Sequence, residues 1–301
     1  MSGQKKRDFI TFDHLSGAEI TALLDLATEQ KSNPASWRQA QPLRGRVIGI
    51  FFEKSSLRTR LSFEAAIFQL GGQCIYFGPE SGRIGERESI KDLAKVSSRY
   101  VDAFVLRTYD HETIVEMAKH SNKPVINGLS DTHHPCQALG DLLTIREKLG
   151  RLEDVKVAFI GDSNNVCRSL AQSLPKVGAR LSVASPHGYT FNAAFIKSQN
   201  ISMCNEPSEA VKDADVVYTD VWASMGQENE VAKRRSIFQP YQLNTELMAL
   251  APKAIVMHCL PAHRGDEITD GVMDSAQSVV YDQAENRLHA QRALLYSLFQ
   301  D

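Results

Sequence analysis

Phe51-Phe52-Glu53-Lys54-Ser55-Ser56-Leu57-Arg58-Thr59-Arg60 is an apolar run that ends in hydroxyls and guanidiniums just before a helical pattern begins. Val47 to Phe52 reads as a buried strand, and Leu61 to Leu70 carries apolar residues at spacings that suit a helix packed against it. The turn between them would aim free backbone N–H groups beyond the strand end. A helix N-terminus offers unpaired donors and a partial positive charge, so phosphate or carboxylate is the expected guest. Arg58 and Arg60 would add full charges, and a guanidinium can grip two oxygens at once. The same residues also suit a capped, salt-bridged surface helix, and spacing alone does not choose between the two.

Outward from this turn, strand-like and helix-like segments alternate. Ser16-Gly17-Ala18-Glu19 has the capping-box spacing and opens a first helix that runs to about Lys31. Strand-like runs follow at 47–52, 73–77, 102–106 and 124–127, with helical stretches near 58–70, 88–98 and 111–120 between them. Pro135 to Leu149 reads as one long helix stopped by Gly150. The alternation then restarts, with strand-like runs at 155–160, 180–184, 214–219, 254–258 and 278–281 and a last helix from about Glu285 to Phe299. This order predicts α/β architecture: two doubly wound parallel-sheet domains joined by interdomain helices. The expected division is 1–134, a linking helix 135–149, and 150–284, with 285–301 packing back on the first domain.

Composition bounds the function. A chain of 301 residues is long enough for two domains, since single cores seldom grow past ~250–300 residues. The 34 basic and 36 acidic residues give a net charge of −2, so no global field recruits nucleic acid or an anionic membrane, and anion binding must be local. Met1 to His14 lacks the apolar core of a secretory signal, and no apolar run approaches the ~18–20 residues of a membrane span, so a cytoplasmic protein is expected. Five cysteines, at 74, 136, 167, 204 and 259, form no C-x-x-C pair, which argues against a disulfide framework and a cysteine zinc site.

In open α/β sheets ligands sit beyond the carboxyl ends of strands. Those positions carry Arg107, His133-His134-Pro135-Cys136-Gln137, Gly161-Asp162-Ser163-Asn164-Asn165, Asp220-Val221-Trp222-Ala223-Ser224-Met225-Gly226, and Cys259-Leu260-Pro261-Ala262-His263-Arg264. Each has a bland reading: a solvated arginine, a helix-capping Asn or Asp, an inert buried thiol, a packed Trp222. Their agreement favours a site.

Ser56-Leu57-Arg58-Thr59-Arg60, His134-Pro135-Cys136-Gln137, Asp220 to Gly226 and His258-Cys259-Leu260-Pro261 together resemble the aspartate/ornithine carbamoyltransferases over nearly the whole chain. His-Pro-Cys-Gln, His-Cys-Leu-Pro and Ser224-Met225-Gly226 are similar to the ornithine branch of that family. The resemblance implies transfer of a carbamoyl group from carbamoyl phosphate to the side-chain amine of L-ornithine, with neither cofactor nor metal. It makes the first domain the carbamoyl phosphate-binding one and the second the ornithine-binding one. It assigns carbamoyl phosphate to Ser56, Leu57 (backbone N–H), Arg58, Thr59, Arg107, His134, Gln137, Leu260 (backbone carbonyl), Cys259 and Arg287, with Arg83 reaching from a neighbouring subunit. Arg107, His134, Asp220 and Cys259 take the catalytic roles, and Asn165, Asp220, Ser224 and Met225 hold ornithine. Arg83 stands where relatives more often show Gln or His. A homotrimer with sites at subunit interfaces is also implied, and mobility of the His263-Arg264 loop is a further expectation.

Other readings fare worse on the residues. A nicotinamide-dependent dehydrogenase would need the second and third glycines that Gly161-Asp-Ser-Asn-Asn-Val lacks. A non-catalytic anion-binding protein would have no use for Asp220 and Cys259. A carbamoyltransferase acting on putrescine or an N-acylornithine differs from the favoured reading in only a few loop residues.

Overall fold

The structure is a computed structural model that describes residues 6–223 and 230–300. The chain forms two compact units, one of Met1–Leu143 with Asn286–Asp301 and one of Thr144–Glu285.

The first unit holds strands β1 (Val47–Phe52), β2 (Gln73–Phe77), β3 (Ala103–Arg107) and β4 (Val125–Leu129), all parallel, in the order β2-β1-β3-β4. Its helices are α1 (Gly17–Ser32), α2 (Pro34–Ala40), α3 (Leu57–Gln69), α4 (Ile90–Ser97), α5 (His111–His120) and the first part of α6 (Pro135–Leu149). The strands read as near-continuous apolar runs because helices cover both faces of such a sheet; Ile48, Ile50 and Ala103 to Leu106 have no exposed surface. At the start of α1 the capping box is complete, with Glu19 N–H donating to Ser16 Oγ at 3.2 Å and Ser16 N–H donating to Glu19 Oε2 at 2.8 Å.

The second unit holds β5 (Lys156–Ile160), β6 (Arg180–Ala184), β7 (Ser202–Cys204), β8 (Val216–Thr219) and β9 (Ile255–His258), again all parallel, in the order β7-β6-β5-β8-β9. Around them run α7 (Asn165–Ser173), α8 (Ala193–Gln199), α9 (Pro207–Val211), α10 (Val231–Phe238), α11 (Thr245–Met248), α12 (Asp270–Met273) and the start of α13 (Val280–Phe299). Ile160, Val217, Trp222, Phe238, Val256 and Val280 share one core cluster, so Trp222 is a packing residue.

Each strand order reverses once. The first sheet winds from β1 to β2 on one side and continues with β3 on the other. The second winds from β5 through β6 to β7 and resumes with β8 beside β5. The reversal points therefore lie at the paired ends Phe52–Arg107 and Ile160–Thr219, where such sheets open a crevice for ligands.

One expected strand is absent. Ser278 forms only an isolated bridge with Val256, and α13 starts at Val280, well before Glu285. Val256 N–H donates to Gln277 at 2.8 Å and Val279 N–H to Val256 at 3.0 Å, so the chain lies beside β9 briefly and then coils. A short apolar run fits either outcome by periodicity alone.

Within the first unit α6 and α13 approach closely at Gly140, where an added Cβ would stand 3.2 Å from Arg287 Cγ and 3.3 Å from its Cα and N. Gly140→Val should therefore force backbone apart and lower unfolding free energy by about 1–3 kcal/mol, the usual overpacking cost. Urea denaturation checks this, and an unchanged midpoint would show that the two helices separate freely.

Candidate active site

β1 delivers the chain to Glu53, whose two buried carboxylate oxygens accept from Ile84 N–H (2.9 Å) and Tyr109 N–H (2.8 Å). Glu53 thus organises neighbouring loops. Ser56 caps α3, its Oγ accepting from Thr59 N–H at 3.4 Å. The buried Thr59 hydroxyl oxygen accepts from Ser56 Oγ–H at 3.0 Å and from Arg287 Nη2 at 2.7 Å. A hydroxyl has two acceptor sites and one proton, so with both sites filled Thr59 keeps its O–H to donate elsewhere.

Around Thr59 the first unit gathers cations. Arg107 ends β3 and Arg287 stands on α13, both about 4% exposed, and both lie close enough to His134 to act on its charge. Burial holds the His134 imidazolium well below its ordinary range, and the two guanidiniums push the same way, so His134 is neutral at pH 7. A neutral imidazole can donate one N–H to a carbonyl oxygen without adding charge. On the first turn of α6, Gln137 Nε2 donates to the buried Asp141 at 2.9 Å, which leaves Gln137 Oε1, buried and with no partner among the described residues, as an acceptor. Cys136 is inert: burial pushes its thiol up to about 12, and it donates to Asn127 O.

Arg58 is half-buried on the first turn of α3, and Leu57 exposes its side chain, so the backbone is all that Leu57 can offer. Arg60 does not join the seat: Glu64 takes its Nε at 2.8 Å, and its guanidinium lies 3.8 Å from the centre of the Tyr76 ring. The helix turns Arg60 away from Thr59 while bringing it to its i+4 neighbour. Arg83 is exposed and lies 4.3 Å from the centre of the Tyr109 ring, against which Lys54 also rests.

In the second unit the carboxylate is the centre. Asp220, buried just past β8, accepts on Oδ1 from the Cys259 thiol (2.9 Å) and Val221 N–H (2.8 Å), and on Oδ2 from Asn164 Nδ2 (2.7 Å). Asn164 Oδ1 in turn accepts from Val166 and Cys167 N–H as the cap of α7. Cys259 follows fully buried His258, whose Nδ1 accepts from Leu260 N–H at 2.9 Å and whose Nε2 meets Glu267 at 3.0 Å. That bond restrains Leu260 at a φ of 55°, a left-handed conformation unusual for a branched residue. Beneath Asp220, Asp162 pairs with buried Arg234 at 2.7 Å; burial raises the Asp162 carboxyl pKa, and nearby Asp220 adds to the rise.

Asp220, His258 and Cys259 could present ligand atoms to a metal within 4.8 Å of one another. Both His258 ring nitrogens are already engaged, however, so the trio is not a ready ligand set. Asn165 opens α7, half-buried, and Ser224 and Met225 lie outside the described residues. Arg264 is tied to Asp270 and Asp274 at 2.7 Å, which opposes the expected mobility of its loop. The sequence signalled neither Asn164 as the partner of Asp220 nor His258 as the anchor of Leu260; an Asn before a helix and a His ending a strand each look structural in isolation.

Buried cations at one sheet reversal and a buried, hydrogen-bonded carboxylate at the other are side chains that suit a group-transfer enzyme. Residues 7–147 match the carbamoyl-P binding domain of aspartate/ornithine carbamoyltransferase, and residues 153–298 match its Asp/Orn binding domain. The protein is 50% identical over 299 residues to an ornithine carbamoyltransferase of Methanospirillum hungatei, covering 97% of this chain and 99% of that one. It is 48% identical over 299 residues to the anabolic ornithine carbamoyltransferase of Pyrococcus furiosus, covering 96% and 95%. A solved structure of ornithine carbamoyltransferase from Pyrococcus furiosus superposes with a TM-score of 0.92 at 46% identity, covering 98% and 97%. The chain belongs to the aspartate/ornithine carbamoyltransferase family.

The lowered His134 pKa has a consequence for stability. Below the ordinary value of 6.5 the unfolded chain takes up a proton that folded His134 refuses, so this contribution is complete above pH 6.5 and is lost as pH falls. The stability difference between wild type and His134→Gln should shrink from pH 7.5 to 5.5, by at most about 1.4 kcal/mol per pH unit. Urea titrations at several pH values measure it, and a pH-independent difference would contradict a neutral His134.

Proposed function

We propose that this protein transfers the carbamoyl group of carbamoyl phosphate to the side-chain amine of L-ornithine, giving L-citrulline and phosphate in arginine biosynthesis. The observation that carries this reading is the Asp220 carboxylate bonded to the Cys259 thiol at 2.9 Å, in a chain whose other sheet ends in the Thr59, Arg107, His134 and Arg287 cluster. Near-full-length likeness to proteins named ornithine carbamoyltransferase supports it, and the anabolic Pyrococcus furiosus relative supports the biosynthetic direction.

The substrate demands fit the residues in this reading. Ser56, the Leu57 N–H, Arg58 and Thr59 take the phosphate, with Arg107 bridging it to the carbonyl. Arg107, Arg287, His134 and the free O–H of Thr59 draw charge onto the carbonyl oxygen, and they strengthen as the tetrahedral oxyanion forms. Gln137 Oε1 and the Leu260 carbonyl accept from the carbamoyl NH₂. Asp220 and Cys259 hold the ornithine side-chain amine and steer its proton, because an ammonium has no lone pair to attack with. The C–N bond then forms, the C–O bond to phosphate breaks, and phosphate leaves with that electron pair. Asn165, Ser224 and Met225 hold the amino-acid end.

In this reading residues 1–134 bind carbamoyl phosphate, 135–149 link, 150–284 bind ornithine, and 285–301 return to the first part. The protein works as a cytoplasmic homotrimer in which Arg83 reaches a neighbour's site. Exposed Leu57, Leu61 and Phe68 on α3, with Ile75 and Phe77 on edge strand β2, offer an apolar surface for a second copy to cover. Five cysteines outside any disulfide suit a reducing compartment. Among the described residues no helix is long and apolar enough to cross a membrane.

Purified protein given carbamoyl phosphate with L-ornithine, putrescine, N-acetylornithine or L-aspartate should form ureido product with ornithine by a wide margin. Product from aspartate, or from none of the four, would overturn the reading. Arg58→Ala should weaken carbamoyl phosphate binding about 10- to 100-fold, the worth of a charged hydrogen bond of about 1.5–3 kcal/mol. Unchanged affinity in a direct binding measurement would show that the turn is only structural.

A further inference from the structure

We infer that Asn164, through its side-chain amide, is a positioning residue that fixes the orientation of the Asp220 carboxylate for the amine substrate, an inference that rests on the function proposed above. Asp220 has two unlike oxygens. Oδ1 is shared by Cys259 and the adjacent Val221 N–H, and Oδ2 receives Asn164 Nδ2 at 2.7 Å. With both oxygens engaged, the carboxylate cannot rotate about its Cβ–Cγ bond without breaking bonds at each end. The remaining lone pair, on Oδ2, is thereby held in one direction, which is what an incoming amine needs for alignment.

The amide of Asn164 cannot turn over. Its Oδ1 already accepts from Val166 N–H at 3.0 Å and Cys167 N–H at 3.1 Å, both orphan donors of the first turn of α7. Turning the amide would set its NH₂ group against two N–H donors and its oxygen against a carboxylate, opposed at every contact. The need of α7 for a cap therefore aims a donor at Asp220. Ser, Thr and Asp cap a helix about as well as Asn, yet none of them adds an N–H₂ donor beyond the capping oxygen. The β5–α7 turn thus carries the residue type that can do both jobs at once. Asn164 itself is not proposed to touch the substrate.

Capping and positioning can be separated by substitution. Asn164→Ser keeps the capping oxygen and removes the donor. Asn164→Asp keeps the capping oxygen and the side-chain volume and sets a second carboxylate against Asp220 Oδ2. Positioning predicts that kcat for citrulline formation falls about 10- to 100-fold in Asn164→Ser, by loss of a charged hydrogen bond, and further in Asn164→Asp. The KM for ornithine should change by less than about threefold in Asn164→Ser, because misalignment lowers kcat rather than ground-state binding. Carbamoyl phosphate affinity, measured without ornithine, should be unchanged in both variants. A purely capping role predicts lower thermal stability with wild-type kcat, and that result overturns the inference, as does loss of carbamoyl phosphate affinity in parallel with kcat. If Asn164→Ser does not fold, the isosteric Asn164→Asp decides alone: wild-type kcat in it overturns the inference. Wild-type protein that forms no citrulline would instead overturn the proposed function itself, and the inference with it.

Discussion

A parallel sheet wound in both directions leaves, where the winding reverses, two neighbouring strands whose following helices depart to opposite faces, and no connection covers the gap between their ends. In this protein that gap lies between β1 and β3 in one unit and between β5 and β8 in the other. The candidate site residues collect there, where backbone donors and strand-end side chains can face a ligand without giving up sheet hydrogen bonds. Thr59 and Arg107 follow from the first reversal, and Asn164 and Asp220 from the second. Arg287 and Cys259 are added from outside each pair, by a late helix and by the neighbouring strand β9.

The two reversals carry opposite charge. In the first unit two buried guanidiniums stand near a histidine kept neutral by burial and by those same cations. Concentrating buried positive charge is unfavourable in the empty protein, and a small dianion offsets it. In the second unit a buried carboxylate accepts three hydrogen bonds, an arrangement of acceptor oxygens that suits a cationic amine. In the proposed reaction these charges would sort a dianionic donor from a cationic acceptor before any shape is matched. The neutrality of His134 fits the same logic, since a third full charge would add repulsion, whereas the neutral ring still keeps one N–H to donate.

Much of this was legible in the sequence because it depends on local pattern. The capping box at Ser16 and Glu19, the apolar run of β1 and the start of α6 at Pro135 are set by neighbours in the chain. What escaped depends on tertiary partners. Arg60 looked like part of the anion seat until Glu64 and Tyr76 claimed it. Ser278 to Tyr281 read as a strand because two valines and a tyrosine suit one, yet the chain touches β9 only briefly before α13 begins. Asn164 read as a cap, which it is; its second bond reaches a residue far along the chain. Glu267 and His258 form a fully buried pair that no spacing rule could have joined to the conformation of Leu260. The fold was therefore readable from periodicity, whereas the bonds among the candidate site residues were not.

The proposed function requires the cations around Thr59 to hold the carbamoyl phosphate dianion. Ligand that binds only the folded state raises unfolding free energy by mass action, by about 2.7 kcal/mol at a hundredfold excess over its Kd. Equilibrium unfolding in urea, with and without freshly dissolved carbamoyl phosphate and no ornithine, measures this directly. Stability should rise with the logarithm of ligand concentration, and a transition that does not move with carbamoyl phosphate would rule out that role for the cations.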